Sequence, residues 1–237
     1  MDVNYGDTVN LINAINEAKK TPFVFTSSAS VMGPTQLQNR IVTRNGPLFV
    51  TGNYEESKIK CEEYLKKNAD NYLVFRLAGV LQTFSALTFA DAFPLLEEIF
   101  DMHPEMRLEM IMAEDVAPAL ITGAEKLKSG SMPKNEVYIL CGDKKNGCQL
   151  KGREFPSLLF ASLSLPVPDR KYFAQDINAY HLDWYDIKEA QQEFDSQNHT
   201  FDDYIKRIKK TFRFFKLPII LTHKIIARRL VKMSPYY

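Results

Sequence analysis

Two short stretches of this 237-residue chain carry the residue types of a proton-transfer site. The first, Phe23-Val24-Phe25-Thr26-Ser27-Ser28-Ala29-Ser30-Val31-Met32-Gly33, is an apolar run that stops in hydroxyls and a glycine. A buried parallel strand that ends at a site has this pattern; a serine cluster that merely forms a turn has it too. The second, Tyr54-Glu55-Glu56-Ser57-Lys58, opens a helical segment, and Tyr54 and Lys58, at i and i+4, fall on one helical face. An ammonium beside a phenol lowers the phenol's pKa, and a serine hydroxyl at the strand end can hydrogen-bond the reacting oxygen. Ser28, Tyr54 and Lys58 are therefore the candidate catalytic residues. Tyr-x-x-x-Lys alone carries little weight, because eleven tyrosines in a lysine-rich chain give about one such pair by chance. Its weight comes from the strand that precedes it.

With that context the chain resembles the extended short-chain dehydrogenase/reductase family, the NAD-dependent epimerase/dehydratase group. Members carry a Ser-Ser-Ala-x-Val-Tyr-Gly-like strand end and, some 25 residues on, Tyr-x-x-x-Lys; here Ser28 and Tyr54 are 26 apart. Asn4, Thr8, Asn10, Leu11 and Ala14 resemble the family's Asn-x-x-Gly-Thr-x-Asn-Leu-x-x-Ala helix. Ser57-Lys58 with Glu62, Phe75 to Val80, and Glu114-Asp115-Val116-Ala117 resemble later segments in order. The resemblance covers about residues 1 to 205. It implies NAD or NADP as cofactor and a small-molecule substrate, a sugar nucleotide or related alcohol or carbonyl compound. It gives Tyr54 the general acid/base role, with Lys58 holding the cofactor ribose and Ser28 polarising the substrate oxygen. Ser27 beside Ser28 becomes a substrate contact, and Asn4 a cofactor-side residue that orders a relay water. A polar residue near a chain start is an equally good account of Asn4. Met32 stands where the family usually has Tyr.

The family opens with a strand, a glycine-rich turn and a helix whose N-terminus holds the dinucleotide pyrophosphate. None of the ten glycines of this chain is spaced in that way. By the resemblance the chain begins at the family's fourth helix, without the half that grips the cofactor. In the family's strand order, 3-2-1-4-5-6-7, this leaves a partial Rossmann-like parallel sheet of about three strands, 23–26, 73–77 and 136–141, with flanking helices. The first would be an apolar edge strand, which invites pairing. Poor solubility, a partner that supplies the missing strands, or a truncated reading frame each follow from that expectation.

The 45% hydrophobic content supports a buried core. Three cysteines, Cys61, Cys141 and Cys148, without a C-x-x-C pair, argue for a reducing, cytoplasmic setting and against a disulfide framework. The four histidines have no metal-ligand spacing, so no metal is expected. No stretch of 18 consecutive apolar residues is present.

Around the two stretches, residues 7–20 read as a helix capped by Asp7 or Thr8, with Leu11, Ile12, Ile15 and Ala18 on one stripe. Residues 54–67 read as a second helix, with Glu62 and Glu63 as solvated charge and Arg76 as a structural charge on the next strand. A helix is expected over 86–102, and another over 116–127 capped by Asp115. His181 and His199 show no acid/base partner. Three units result: residues 1–150, the C-terminal part of a Rossmann-like NAD(P)-binding domain; 151–205, a small substrate-binding lobe; and 206–237, a basic amphipathic helical tail. A homodimer through helices 7–20 and 54–67 follows from the family.

The tail holds ten Lys/Arg and no Asp or Glu, which leaves the rest with 20 basic against 29 acidic residues, a net of −9. A basic apolar helix of this kind suits a membrane surface or a partner; lying on the chain's own acidic body suits it as well. No nucleic-acid motif accompanies the charge. Two functions stay open: an NAD(P)-dependent epimerase, dehydratase or reductase, active if the missing half is supplied, or a non-catalytic remnant that serves as an interaction module.

Overall fold

The computed structural model describes residues 2–18, 21–38, 40–82 and 96–237. The expected helix over 86–102 falls mostly outside them; Ile99–Asp101 form a short 3-10 turn.

The polypeptide starts with α1 (Asp2–Glu17) and continues into β1 (Phe23–Ser28), α2 (Asn53–Asn68) and β2 (Tyr72–Leu77). Next come β3 (Gly79–Leu81), β4 (Arg107–Met112), α3 (Ala113–Ser129), β5 (Glu136–Leu140) and β6 (Gln149–Lys151). Four helices complete it: α4 (Glu154–Ser162), α5 (Lys188–Phe194), α6 (Phe201–Thr211) and α7 (Lys216–Val231).

The expected parallel sheet is present, in the order β1-β2-β5, with Phe25 opposite Val74 and Ser28 opposite Leu77. Its central strand, β2, is buried over five consecutive residues, as an apolar run covered on both faces requires. On one face α1 and α2 close over Phe25, Val74, Ile12, Cys61 and Leu65. On the other, Leu73 and Phe75 pack against Val116, Ala119 and Leu127 of α3 and Phe194 of α5.

A second three-stranded sheet, β3-β4-β6, was not expected. All six residues of β4 are buried, but Arg107 and Glu109 interrupt the apolar run by which a buried strand is recognised. Two buried ion pairs lock the layers. Arg76 of β2 reaches Glu62 of α2 through Nε at 3.0 Å and Nη2 at 2.6 Å. Arg107 of β4 grips Asp183 through Nε at 2.5 Å and Nη2 at 2.9 Å, and Thr35 Oγ1 donates to the same carboxylate at 2.6 Å.

Several local expectations are corrected. α1 starts at Asp2, so Asp7 and Thr8 lie inside it; Thr8 Oγ1 bonds back to the Asn4 carbonyl at 2.7 Å instead of capping. On its stripe Ile12 is buried against α2 and the sheet, whereas Leu11 faces solvent. Glu62 is not solvated: its position facing β2 puts it beside Arg76, and burial of one charge demands the other. Asp115 sits in the first turn of α3 rather than capping it, and its buried carboxylate holds His199 through Nδ1 at 2.7 Å and the backbone N–H at 3.0 Å. His199 thus has a carboxylate partner. In the same corner Arg207 pairs with Glu114. The Trp184–Asp186 segment runs strand-like for one bridge, Val42 opposite Tyr185.

Candidate active site

β1 ends where its apolar residues give way to Ser27 and Ser28. Ser28 leaves the strand in an extended conformation and caps a 3-10 turn, Ala29–Met32, its Oγ accepting from Ser30 N at 3.2 Å and lying 2.9 Å from Ser30 Oγ. Gly33 closes that turn at φ +71°, and a Cβ there would lie 2.4 Å from the Phe49 ring. Only glycine combines that backbone with that contact. The chain then returns at α2, whose first turn carries Tyr54.

There the two stretches meet. Ser28 and Tyr54 line one cavity, and while burial raises the Tyr54 pKa the Ser28 hydroxyl acts to lower it. Lys58, one turn along, donates from Nζ to the Thr26 carbonyl at 2.9 Å and lies 5.8 Å from the Tyr54 ring centre and 5.1 Å from that of Phe25. Tyr54 and Lys58 flank the carboxyl end of β1, the place where ligands bind open α/β sheets.

The electrostatics differ from the expected activation. Burial holds the Tyr54 phenol above its ordinary pKa; the Ser28 hydroxyl opposes this and the Glu55 carboxylate adds to it. Lys58 is pushed down by burial, with Cys61 and Glu62 acting against the shift. Tyr54 is thus a protonated donor at neutral pH.

A cavity of about 500 Å3 opens beside these groups. It is lined by Ser28, Ser30, Tyr54 and Glu55 from the two stretches, by Gly79 and Val80 of β3, and by Glu98 with Tyr180, His181 and Leu182. Partial burial and neighbouring Asp101 hold the Glu98 carboxyl above its usual range. His181 is fixed by its Nδ1, 3.0 Å from Thr51 Oγ1. Among the described residues the lining carries carboxylates and no lysine or arginine, which suits an uncharged polyhydroxyl group better than a phosphate.

The other expected site residues lie apart. Ser27 is buried, its hydroxyl has no hydrogen-bond partner among the described residues, and it does not line the cavity. Asn4 is on α1, its side chain exposed and its carbonyl accepting from Cys61 Sγ at 3.5 Å, one turn from Lys58. Met32 is in the core. Tyr180 and His181 are the residues that motif reasoning missed. They arrive through the Arg107–Asp183 clamp, aided by Gln36, which donates to the carbonyls of Arg107 at 2.8 Å and Leu182 at 2.5 Å. No local pattern announces this part of the lining.

Residues 1–86 match the model of the NAD dependent epimerase/dehydratase family. No curated protein sequence matches the chain. Among solved structures the chain is similar to UDP-glucose-4-epimerase from Stenotrophomonas maltophila with bound NAD and formylated UDP-arabinopyranose. The identity is 16%, the coverage 92% of this chain and 70% of that one, and the TM-score 0.69. It is also similar to dTDP-glucose 4,6-dehydratase from Bacillus anthracis in complex with NAD, at 16% identity, 90% and 68% coverage and TM-score 0.67. The Bordetella bronchiseptica enzyme WbmH in complex with NAD+ matches at 17% identity, 90% and 69% coverage and TM-score 0.66. The fold of this chain is therefore the Rossmann-like fold of these proteins, as the resemblance in the sequence implies.

Proposed function

We propose that this chain, which matches the NAD-dependent epimerase/dehydratase family over residues 1–86, is the catalytic portion of an NAD(P)-dependent enzyme that acts on a sugar nucleotide or a related alcohol or carbonyl compound. One observation carries the reading: Ser28 and Tyr54 line one cavity, with the Lys58 ammonium one turn behind, 5.8 Å from the Tyr54 ring centre.

The residues present fit one end of a nicotinamide dinucleotide. Tyr54 and Lys58 would hold the hydroxyls of its nicotinamide ribose, and Asn4 lies one helix away. No glycine-rich turn of this chain offers a pyrophosphate cradle. When bound, the cofactor supplies hydride acceptance or donation. The side chains do the rest. Ser28 orients the substrate oxygen against Tyr54, and Tyr54 exchanges a proton with that oxygen. Lys58 stabilises the phenolate that forms when Tyr54 acts as base. Tyr180 and Leu182 shield the reacting carbon from water.

The uncharged cavity-facing hydroxyls and the carboxylates Glu55 and Glu98 favour the sugar end of such a substrate at this point, with any diphosphate held elsewhere. The UDP- and dTDP-sugar names of the structurally similar proteins support the same substrate class. Self-association through α1 and α2 belongs to the same proposal; Leu11, 52% exposed, is the apolar contact α1 offers.

Calorimetric titration of the 237-residue chain with NAD(H) and NADP(H), beside Tyr54→Phe and Lys58→Met, tests this. Binding that weakens in Lys58→Met, with turnover lost in Tyr54→Phe, supports the enzyme. Absence of binding at millimolar cofactor makes the chain a non-catalytic module under these conditions.

A further inference from the structure

Helix α7 is apolar on two opposite faces. Ile219 and Leu230 are buried against the body of the protein. Beyond the helix the chain stays fastened: Ser234 Oγ donates to the Tyr172 carbonyl at 2.6 Å, and the rings of Tyr237 and Tyr172 stack at 5.9 Å. The helix is thus held at both ends in a fixed orientation. Its other face looks outward. Leu217 is 73% exposed, Leu221 84% and Ile225 60%. Their spacing of four residues sets them in one stripe along the axis, and Phe214, 77% exposed, extends it just ahead of the helix. An apolar stripe of this length is normally covered by something.

The charges around the stripe are of one sign. Lys209, Lys210, Arg213 and Lys216 precede it, Lys224 and Arg228 lie on the same outward face, and no Asp or Glu occurs after Asp203. The Arg213 guanidinium lies 4.3 Å from the centre of the Phe214 ring, so cation and apolar surface are contiguous. Two copies pressed stripe to stripe would oppose Lys224 and Arg228 to their own images. No helix among the described residues is long and apolar enough to cross a membrane.

We propose that this face of α7 lies in the plane of an anionic lipid surface. Phe214, Leu217, Leu221 and Ile225 enter the headgroup–acyl boundary, and the flanking lysines and arginines meet negative headgroups. The buried face keeps α7 on the protein, so docking needs no unfolding and would set the catalytic body beside the bilayer.

The test is co-sedimentation of the full chain with phosphatidylcholine vesicles and with phosphatidylcholine–phosphatidylserine vesicles. Binding to the mixed vesicles, weak or absent on the neutral ones and falling as salt rises, is expected. Leu217→Glu/Leu221→Glu should lower partitioning at least about tenfold. Lys224→Gln/Arg228→Gln should lower it about 25-fold on mixed vesicles alone, at about fivefold per cation. All four positions are exposed, so the melting temperatures of the variants should match the parent and separate a lost surface from a lost fold. Unchanged vesicle binding in the leucine variant overturns the proposal. So does absence of vesicle binding together with a dimer in sedimentation equilibrium that the leucine variant dissociates, which would make the stripe a contact between copies.

Discussion

Lys58 and Tyr54 sit one turn apart on α2, and the Lys58 ammonium lies 5.8 Å from the Tyr54 ring centre while it donates to the Thr26 carbonyl at 2.9 Å. The cation is therefore committed to the end of β1, and the group that acts on the phenol most directly is Ser28. Burial raises the Tyr54 pKa, the Ser28 hydroxyl lowers it, and the Glu55 carboxylate raises it. The signs fix the outcome of two substitutions. A hydroxyl donating to a phenolate favours the charged form, so Ser28→Ala should move the Tyr54 titration to higher pH. Removing a nearby negative charge does the reverse, so Glu55→Gln should move it to lower pH. Ultraviolet difference titration against Tyr54→Phe isolates this tyrosine from the other ten. An unmoved titration in Ser28→Ala would mean that the Ser28 hydroxyl has no weight in solution.

The Arg76–Glu62 pair predicts a non-additive stability effect. Both side chains are almost wholly buried, and Arg76 Nη1 also donates to the Arg44 carbonyl at 2.9 Å. Removing one partner leaves a buried charge without its counter-charge, at about 3–5 kcal/mol, whereas replacing both with apolar residues is often near neutral. Arg76→Met and Glu62→Leu should each lower the unfolding free energy by about that much, and the double variant should recover most of the loss. Urea unfolding of the four proteins closes the cycle. Additive losses would show that the two groups do not depend on each other.

The Ser28, Tyr54 and Lys58 side of the candidate site was readable from the chain because its signals are local. A strand that ends in hydroxyls and two residues at i and i+4 need no knowledge of the rest of the fold; the three strands read as apolar runs, and their joining in one sheet came from the family resemblance. The remainder depends on distant partners. Glu62 lies among lysines and glutamates in a segment that looks solvated, and only the approach of Arg76, 14 residues on and in another layer, makes it a buried charge. Tyr180 and His181 stand more than 100 residues from Tyr54, positioned by Arg107, Asp183, Thr35 and Gln36, none of which belongs to a motif. β4 escaped notice because Arg107 and Glu109 interrupt its apolar run, and only their distant partners Asp183 and Tyr185 make both buried. The site is thus a legible pair of stretches set against a lining that tertiary structure alone supplies.

Gly33 tests how firmly the Ser28 turn must be held. Its φ of +71° disfavours any side chain, and a Cβ would meet the Phe49 Cβ at 2.5 Å. Phe49 cannot easily retreat, since its backbone N–H donates to the Val31 carbonyl at 2.9 Å within the same turn. Gly33→Ala should cost about 1–3 kcal/mol of stability. It should also weaken the proposed cofactor-dependent turnover by displacing Ser30 and Ser28. Thermal unfolding reads the first effect. A variant as stable as the parent would mean that the turn relaxes without strain.

Glu109 predicts the pH dependence of stability. Its side chain is fully buried on β4, accepting from Gln149 Nε2 at 2.8 Å and from the Tyr185 backbone N–H at 2.7 Å. Burial raises its pKa from 4.5 to about 7, with these hydrogen bonds and the Cys141 thiol opposing the shift and the Asp143 carboxylate adding to it. A carboxyl whose folded pKa lies above its unfolded value binds more protons in the native state between those two values. Its favourable contribution is complete below pH 4.5 and is lost as pH rises through about 7. A shift of that size corresponds to a loss on the order of 3 kcal/mol across the window. Glu109→Gln stays neutral throughout, although it places an amide N–H against a donor and so starts from a lower stability. The measurement is therefore the difference between parent and variant unfolding free energies at several pH values. That difference should shrink steadily from pH 4.5 to 7 and level off above it. A difference that stays constant across the window would show that Glu109 titrates in the folded chain as it does in the unfolded one.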